Sequence, residues 1–266
     1  MPASRIFIYC FILLLFCHPS DAALSMTLAT IPESIPAMTT DGTMTNPDRP
    51  GFRVEILRSA GNQCGVSVNF VTAPWRRVLE QVKTEAVDGA FSASWSAERA
   101  QYGVFPLKGG VPDPARAMKG YSYILYLHPE SKLSWNGRTV EGSNRKVIVE
   151  RGAAGVDIAI KLGLEPLENT GYATMLRMLA RRRAEGLIAI ESHVNEILAA
   201  NPELVAEVKA QQPPLESLYG YVMFNKGFYQ ANTALVECFW KALGDIRSKP
   251  AYRELVKSYN DGKFLE

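Results

Sequence analysis

The sequence predicts an α/β protein of two lobes, each a mostly parallel sheet flanked by helices. Three observations lead there. Short apolar runs of strand length alternate with amphipathic helical stretches. The alternation occurs twice along the chain. Two further apolar runs, YSYILYL and YGYVMF, bracket the second set and suit segments that cross between lobes.

The first unit opens with a strand at Met26–Ile31. Pro32, Pro36, Asp41-Gly42 and Pro47 to Pro50 then predict a long loop. Phe52, Ile56 and Leu57, with Val54 beside them, form the apolar side of a helix ending near Gly61. Val66, Val68 and Phe70 alternate with Ser67 and Asn69, the pattern of a half-buried strand. Pro74 opens a second helix, at a position where its missing N–H costs nothing. Val78, Leu79 and Val82 turn inward, and Val87–Phe91 is a short buried strand. The second unit repeats the scheme. It runs through a strand at Lys146–Val149, helices at Gly152–Leu162 and Tyr172–Arg183, and a strand at Leu187–Ile190. The crossing segments are Tyr121–Leu127 and Tyr219–Phe224, and helices at Thr233–Ile246 and Ala251–Tyr259 return to the first lobe. The expected division is a leader over 1–22, the first lobe over 23–122, the second over 123–220, and the return over 221–266.

The leader is read from Arg5, an apolar run from Ile6 to Phe16, Pro19, and small residues at Ser20 and Ala22. The run is short for a bilayer span, which favours a cleaved signal peptide over an anchor. Cleavage after Ala22 is expected. Bulky Phe16 before Cys17 argues against a lipid tether. Export places the chain in an oxidising space, naturally a bacterial periplasm. Cys64 and Cys238 remain after the leader and read as two buried thiols, with pairing as the alternative.

Composition narrows the partners. The 266 residues are 47% apolar and 21% charged, with a net charge of +2. Near balance argues against nucleic acid or an anionic membrane surface. His128 and His193 have no neighbours at zinc-site spacing. G-x-S-x-G, P-loop and dinucleotide fingerprints are missing, so no metal or cofactor is expected. Arg181–Arg183 closes a helix, where cations favour the dipole.

The stretch Pro74-Trp75-Arg76-Arg77-Val78, with Val87-Asp88-Gly89-Ala90-Phe91 and Ser96-Ala97-Glu98-Arg99, resembles the family 3 periplasmic solute-binding proteins. These are the amino-acid-type binding components of ABC importers. Pro50-Gly51-Phe52-Arg53-Val54-Glu55-Ile56 is similar to that family's first helix start, while Glu85 stands where the family usually has Gly. The resemblance implies a type II periplasmic-binding-protein-like fold, a monomer, and hinge closure on a small polar ligand.

It also implies a site. Arg99 corresponds to the family arginine that pairs with a ligand carboxylate, and a guanidinium fork matches a carboxylate in two charge-assisted bonds. The alternative is a solvated surface arginine paired with Glu98 or a neighbour. Ser96 suits the cap of the helix expected there. Ser92 and Ser94 follow a strand end, where ligands bind in α/β sheets, though serine also suits an ordinary turn. Trp75 corresponds to a ligand-stacking aromatic, or else packs in the core; Arg76 joins it or lies on the helix surface. Gly152 and Ala153 offer backbone N–H groups to an anion, or simply allow tight packing. Glu191 aligns with a carboxylate that takes a ligand ammonium, or is a helix-start acid. The Glu185-Gly186-Leu187-Ile188 stretch lacks the family's Asp, and Pro36-Ala37-Met38 lacks its first-loop aromatic. Both departures weigh against an α-amino acid ligand.

The function expected is capture of a small, carboxylate-bearing, amino-acid-like ligand for a membrane permease, without catalysis. A sensor for a membrane signalling partner is the alternative. Further off stands a dehydratase of the cyclohexadienyl type, using Glu191 and Arg99.

Overall fold

Burial along Val66–Phe70 alternates inward and outward as the sequence pattern requires, and that strand lies at one edge of an extended mixed sheet. The computed structural model describes residues 24–35, 37–38, 44–142 and 145–260. The leader over 1–22 and the loop residues Pro36 and Asp41-Gly42 lie outside them.

Eight principal strands carry the fold: β1 Ser25–Thr30, β2 Ser67–Thr72, β3 Gly89–Ala93, β4 Lys119–Leu127, β5 Lys146–Glu150, β6 Glu165–Asn169, β7 Gly186–Ile190 and β8 Glu216–Asn225. Their spatial order is β6-β5-β7-β4-β8-β3-β1-β2. β1 pairs in parallel with β2 and β3, and β5 in parallel with β6 and β7. These are the two parallel cores that the repeated alternation predicts. β4 and β8 run antiparallel to each other over Lys119–Tyr123 and Glu216–Gly220. Beyond that ladder they part. β4 continues against β7, and β8 continues against β3. These two strands are the crossing segments.

Helices α1 Phe52–Gln63, α2 Trp75–Lys83, α6 Lys226–Ala231, α7 Thr233–Ser248 and α8 Pro250–Asn260 belong with the first lobe, and α3 Ala154–Lys161, α4 Tyr172–Ala180 and α5 Glu191–Ala200 with the second. Leu28, Leu57, Phe91, Phe224, Phe239 and Trp240 pack together in the first lobe. Leu125, Val147, Ile158 and Ile188 do so in the second. Burying such side chains contributes about 1.5–3 kcal/mol each. Trp240 also donates its indole N–H to the Val222 carbonyl at 2.8 Å, so its burial strands no polar atom. A third cluster runs from Trp75 and Val78 of α2 to Leu176 and Leu187 across the interlobe region.

Two expectations are corrected here. Cys64 and Cys238 are joined in a disulfide, with Cα atoms 6.0 Å apart, and are not two buried thiols. Cys64 caps the end of α1 and is half-buried, while Cys238 is exposed on α7. β6 was not expected. Its sequence EPLEN carries Pro166 and two glutamates, poor strand residues that are tolerated because β6 lies at the sheet edge. The departure from glycine at Glu85 is also visible in the backbone, where φ is +59°. A residue with a Cβ is strained there. Its carboxylate accepts the Gly227 N–H at 3.1 Å, an offsetting contact glycine cannot make.

Candidate functional site between the lobes

The carboxyl ends of β3 and β5 and the N-termini of α1, α2 and α3 converge on a cleft between the lobes. Strand ends of α/β sheets are where ligands bind, because loops there present side chains and helix N-termini together. The cavity is lined by residues of both lobes and opens to solvent.

Arg99 is buried at 6% exposure and faces this cavity. The Ser96 hydroxyl accepts the Arg99 backbone N–H at 3.2 Å, as a cap would. The element it caps is a single 3-10 turn, Arg99–Gln101, and not the longer helix expected. Nη1 of Arg99 donates to the Ser94 carbonyl at 2.8 Å and to the Ser94 hydroxyl at 2.6 Å. Nη2 donates to the Gly152 carbonyl of the second lobe at 3.0 Å. Three of the five guanidinium N–H groups are thereby engaged. The Nε–H and one Nη2–H are left to meet an acid. The Trp75 ring lies 5.6 Å from the guanidinium carbon, and no carboxylate pairs with Arg99 among the described residues. The surface pairing with Glu98 does not occur.

Ser92, Ser94, Trp75 and Ala153 line the cavity with Arg99. Trp75 does both things foreseen for it, packing into the interlobe cluster while facing the cleft. Ser92 has φ +61°, a strained conformation for serine, and such strain gathers at sites that must present a group in one orientation. Gly220 of β8 passes beside it so closely that an added Cβ would lie 3.2 Å from both the Ser92 Cα and the Tyr121 ring.

Three expected residues do not line the cavity. Gly152 reaches it only through the carbonyl held by Arg99, and its φ of +70° lets the chain turn there. Arg76 is exposed at the rim and packs beside Gly152. Glu191 opens α5 on the Tyr126 side, where burial first and the Glu191 carboxylate next push the Tyr126 hydroxyl up. The α5 residues facing the cavity are Ser192 and His193.

Residues the sequence reading passed over complete the walls: Phe52 and Arg53 from α1, Lys119, Tyr121 and Tyr123 from the crossing strand, and Glu150 and Tyr172 from the second lobe. Tyr121 and Tyr123 are two apart on a strand, hence on one face, a signal present in YSYILYL. Glu150 ends β5, so the strand-end rule that selected Ser92 also selects it once the strand is extended by one residue. Nothing in the sequence marks Arg53 or Lys119.

Polar atoms without hydrogen-bond partners gather here. Ser34 Oγ, Glu150 Oε2 and His193 Nδ1 are buried, have no hydrogen-bond partner among the described residues, and belong to residues lining the cavity. Burial first, and the Glu33 carboxylate next, push Glu150 up to about 7. Burial first, then Arg53 and Lys119, hold His193 well below its ordinary 6.5. These shifts oppose each other. Above pH 4.5 the unfolded chain releases the Glu150 proton that the folded chain keeps, so stability falls as pH rises to about 7. Below pH 6.5 the unfolded chain protonates a histidine that the fold keeps neutral, so stability falls as pH drops. Below pH 6.5 the two slopes have opposite signs. Glu150→Gln is therefore expected to stabilise the ligand-free protein by about 1–3 kcal/mol at pH 7.5, with the gain vanishing near pH 4.5. Urea unfolding of both proteins at several pH values reads this out. A difference that ignores pH would contradict it.

No group of three or more potential metal ligands occurs among the described residues. None of the described helices is long and apolar enough to cross a membrane.

Comparisons with known proteins bear on the fold and the family. A search of curated sequences finds no match. Solved structures share the architecture: a mutant of the arginine-binding protein ArgBP from T. maritima (TM-score 0.66, 14% identity, 89% of this chain and 95% of that one), a histidine kinase sensor domain with similarity to periplasmic binding proteins (0.68, 16%, 91% and 96%), and the GluR0 ligand-binding core from Nostoc punctiforme in complex with L-glutamate (0.65, 16%, 90% and 99%). At these identities the likeness speaks for the fold, which is the type II periplasmic-binding-protein architecture that the resemblance implied. The family model for bacterial extracellular solute-binding proteins, family 3, matches residues 26–262, nearly everything beyond the expected leader, and the chain belongs to that family.

Proposed function

We propose that the protein is a periplasmic receptor that captures a small carboxylate-bearing ligand between its lobes and presents the closed form to the permease of an ABC importer. The observation that carries this is Arg99: a buried guanidinium in the interlobe cavity with two donors still to be met and no carboxylate of its own. The lobes in this reading are 23–122, 123–220 and the return 221–266, behind a cleaved leader. Arg99, Ser92, Ser94 and Trp75 receive the ligand on the first lobe, and Ala153 meets it from the second. Closure excludes water and strengthens the charge-assisted contacts.

A thermal-shift screen of amino acids, small mono- and dicarboxylates, amines and peptides tests the reading. A carboxylate-bearing compound is expected to raise the melting temperature, by mass action on the native state. If only amines or neutral solutes do so, the carboxylate ligand is wrong.

One observation supports a second reading. A dehydratase needs an acid near neutral pKa beside a carboxylate anchor. Glu191 is not in the cavity, but Glu150, pushed up to about 7, is. Incubation of the protein with prephenate-like acids, followed spectrophotometrically, separates the two, since a receptor leaves its ligand intact.

A further inference from the structure

The cavity holds more positive charge than one carboxylate requires. Besides Arg99, Arg53 and Lys119 line it. Both lean on the same ring: the Arg53 guanidinium carbon is 4.8 Å, and the Lys119 ammonium 5.3 Å, from the Phe52 centroid. Neither forms a hydrogen bond or ion pair among the described residues. One carboxylate, Glu196 of α5, acts on both across space without coming to ion-pair distance, and among the described residues no acid of the first lobe pairs with either. Burial holds both cations below their ordinary pKa values, and Arg53 lowers Lys119 further. Two like charges crowded together in a partly desolvated wall are costly unless an anion compensates them.

The neighbourhood agrees. Arg53 lies in the first turn of α1, where the helix dipole adds positive potential. The orphaned Ser34 hydroxyl and His193 ring nitrogen line the same cavity. Lys119 and Gly120 are shared with a second, outer depression that Arg247, Arg253 and Lys257 also line, and none of the described residues lining it is acidic. A basic approach of this kind raises the local concentration of anions and speeds their encounter. Among the described cavity-lining residues Glu150 is the one carboxylate, and it is not enough to offset three cations.

We infer that Arg53 and Lys119 form a second anion-binding subsite, so that the ligand is a dianion with one carboxylate on Arg99 and a second acidic group, carboxylate or phosphate, between Arg53 and Lys119. This rests on the proposed reading of the cleft as a carboxylate receptor and narrows its ligand class.

The test uses the full mature chain and two variants, Arg53→Gln and Lys119→Gln. Calorimetry and thermal shift are run with α,ω-dicarboxylates of graded length (succinate to pimelate), with phosphoglycolate, and with monocarboxylates and neutral amino acids of matching length. A diacid is expected to bind best, with its affinity falling about tenfold or more in each variant, since each loses a charge-assisted contact. A matching monoacid should bind far more weakly and should not sense either substitution. Preference for phosphoglycolate over the dicarboxylates identifies the second group as phosphate; the reverse identifies it as carboxylate. Both ligand-free variants are expected to melt at or above the wild-type temperature, because each relieves like-charge crowding. A lower melting temperature in both would assign these cations a structural role and overturn the inference. So would a monoacid or neutral amino acid that binds as tightly as the best diacid, or unchanged diacid affinity in both variants. Those results leave the receptor reading standing. If no carboxylate of either kind binds, the receptor reading falls with it.

Discussion

Arg99→Ala is expected to abolish the ligand-induced rise in melting temperature while leaving the ligand-free fold nearly as stable as before. The guanidinium makes three hydrogen bonds to neutral groups and rests against Trp75, with no carboxylate partner. Its removal gives up those bonds but also frees the fold from burying a charge, so the two effects largely offset each other. Ligand binding has no such offset. A bidentate, charge-assisted pair with a carboxylate is lost, and the cost is about 3–4 kcal/mol, or roughly 100- to 1,000-fold in affinity. Arg99→Lys keeps the charge but not the planar fork, and falls between. Calorimetry with whichever carboxylate the screen identifies decides the matter. An undiminished response in the alanine variant would remove Arg99 from the site.

Loss of the Cys64–Cys238 disulfide is the second large effect. The bond joins the end of α1 to α7 across 174 residues of sequence. Chain-entropy arguments assign a loop of that length about 5 kcal/mol, and measured values commonly come out lower, at about 2–4 kcal/mol. The double variant Cys64→Ser with Cys238→Ser should therefore melt on the order of 10 °C lower. Because Cys238 is exposed, a mild reductant should reproduce the shift in the native protein. Equal melting temperatures with and without reductant, together with two titratable thiols, would show that the bond does not form.

Much of the fold was legible because its determinants are local. Periodicity placed β2 and α2, and Pro74 marked the start of α2 to within a residue. Strand β6 escaped because an edge strand is held by its partner and not by its own β propensity. The disulfide escaped because pairing depends on a Cα separation that no spacing in the sequence encodes. The site divides the same way. Arg99, Ser92, Ser94 and Trp75 follow short motifs, and the structure brings them to one cavity. Glu191 was misplaced because one residue of helix phase decides whether a side chain faces the cleft, and His193 faces it instead. Arg53 and Lys119 were invisible because each is an ordinary surface residue in its own segment. Only the tertiary fold sets them beside one ring.

The paired passage of β4 and β8 has a mechanical consequence. Two separate linkers would let one body roll, slide and twist against the other. Here both linkers are laced together by the antiparallel ladder over Lys119–Tyr123 and Glu216–Gly220, reinforced by the contact between the Ser122 and Ser217 hydroxyls at 3.1 Å. Under the proposed closure such a laced ribbon would resist shear and flex like a leaf spring. Lys119, Tyr121 and Tyr123 sit on that spring and also form part of the cavity wall. In that reading, a ligand pressing on those side chains would load the ribbon directly.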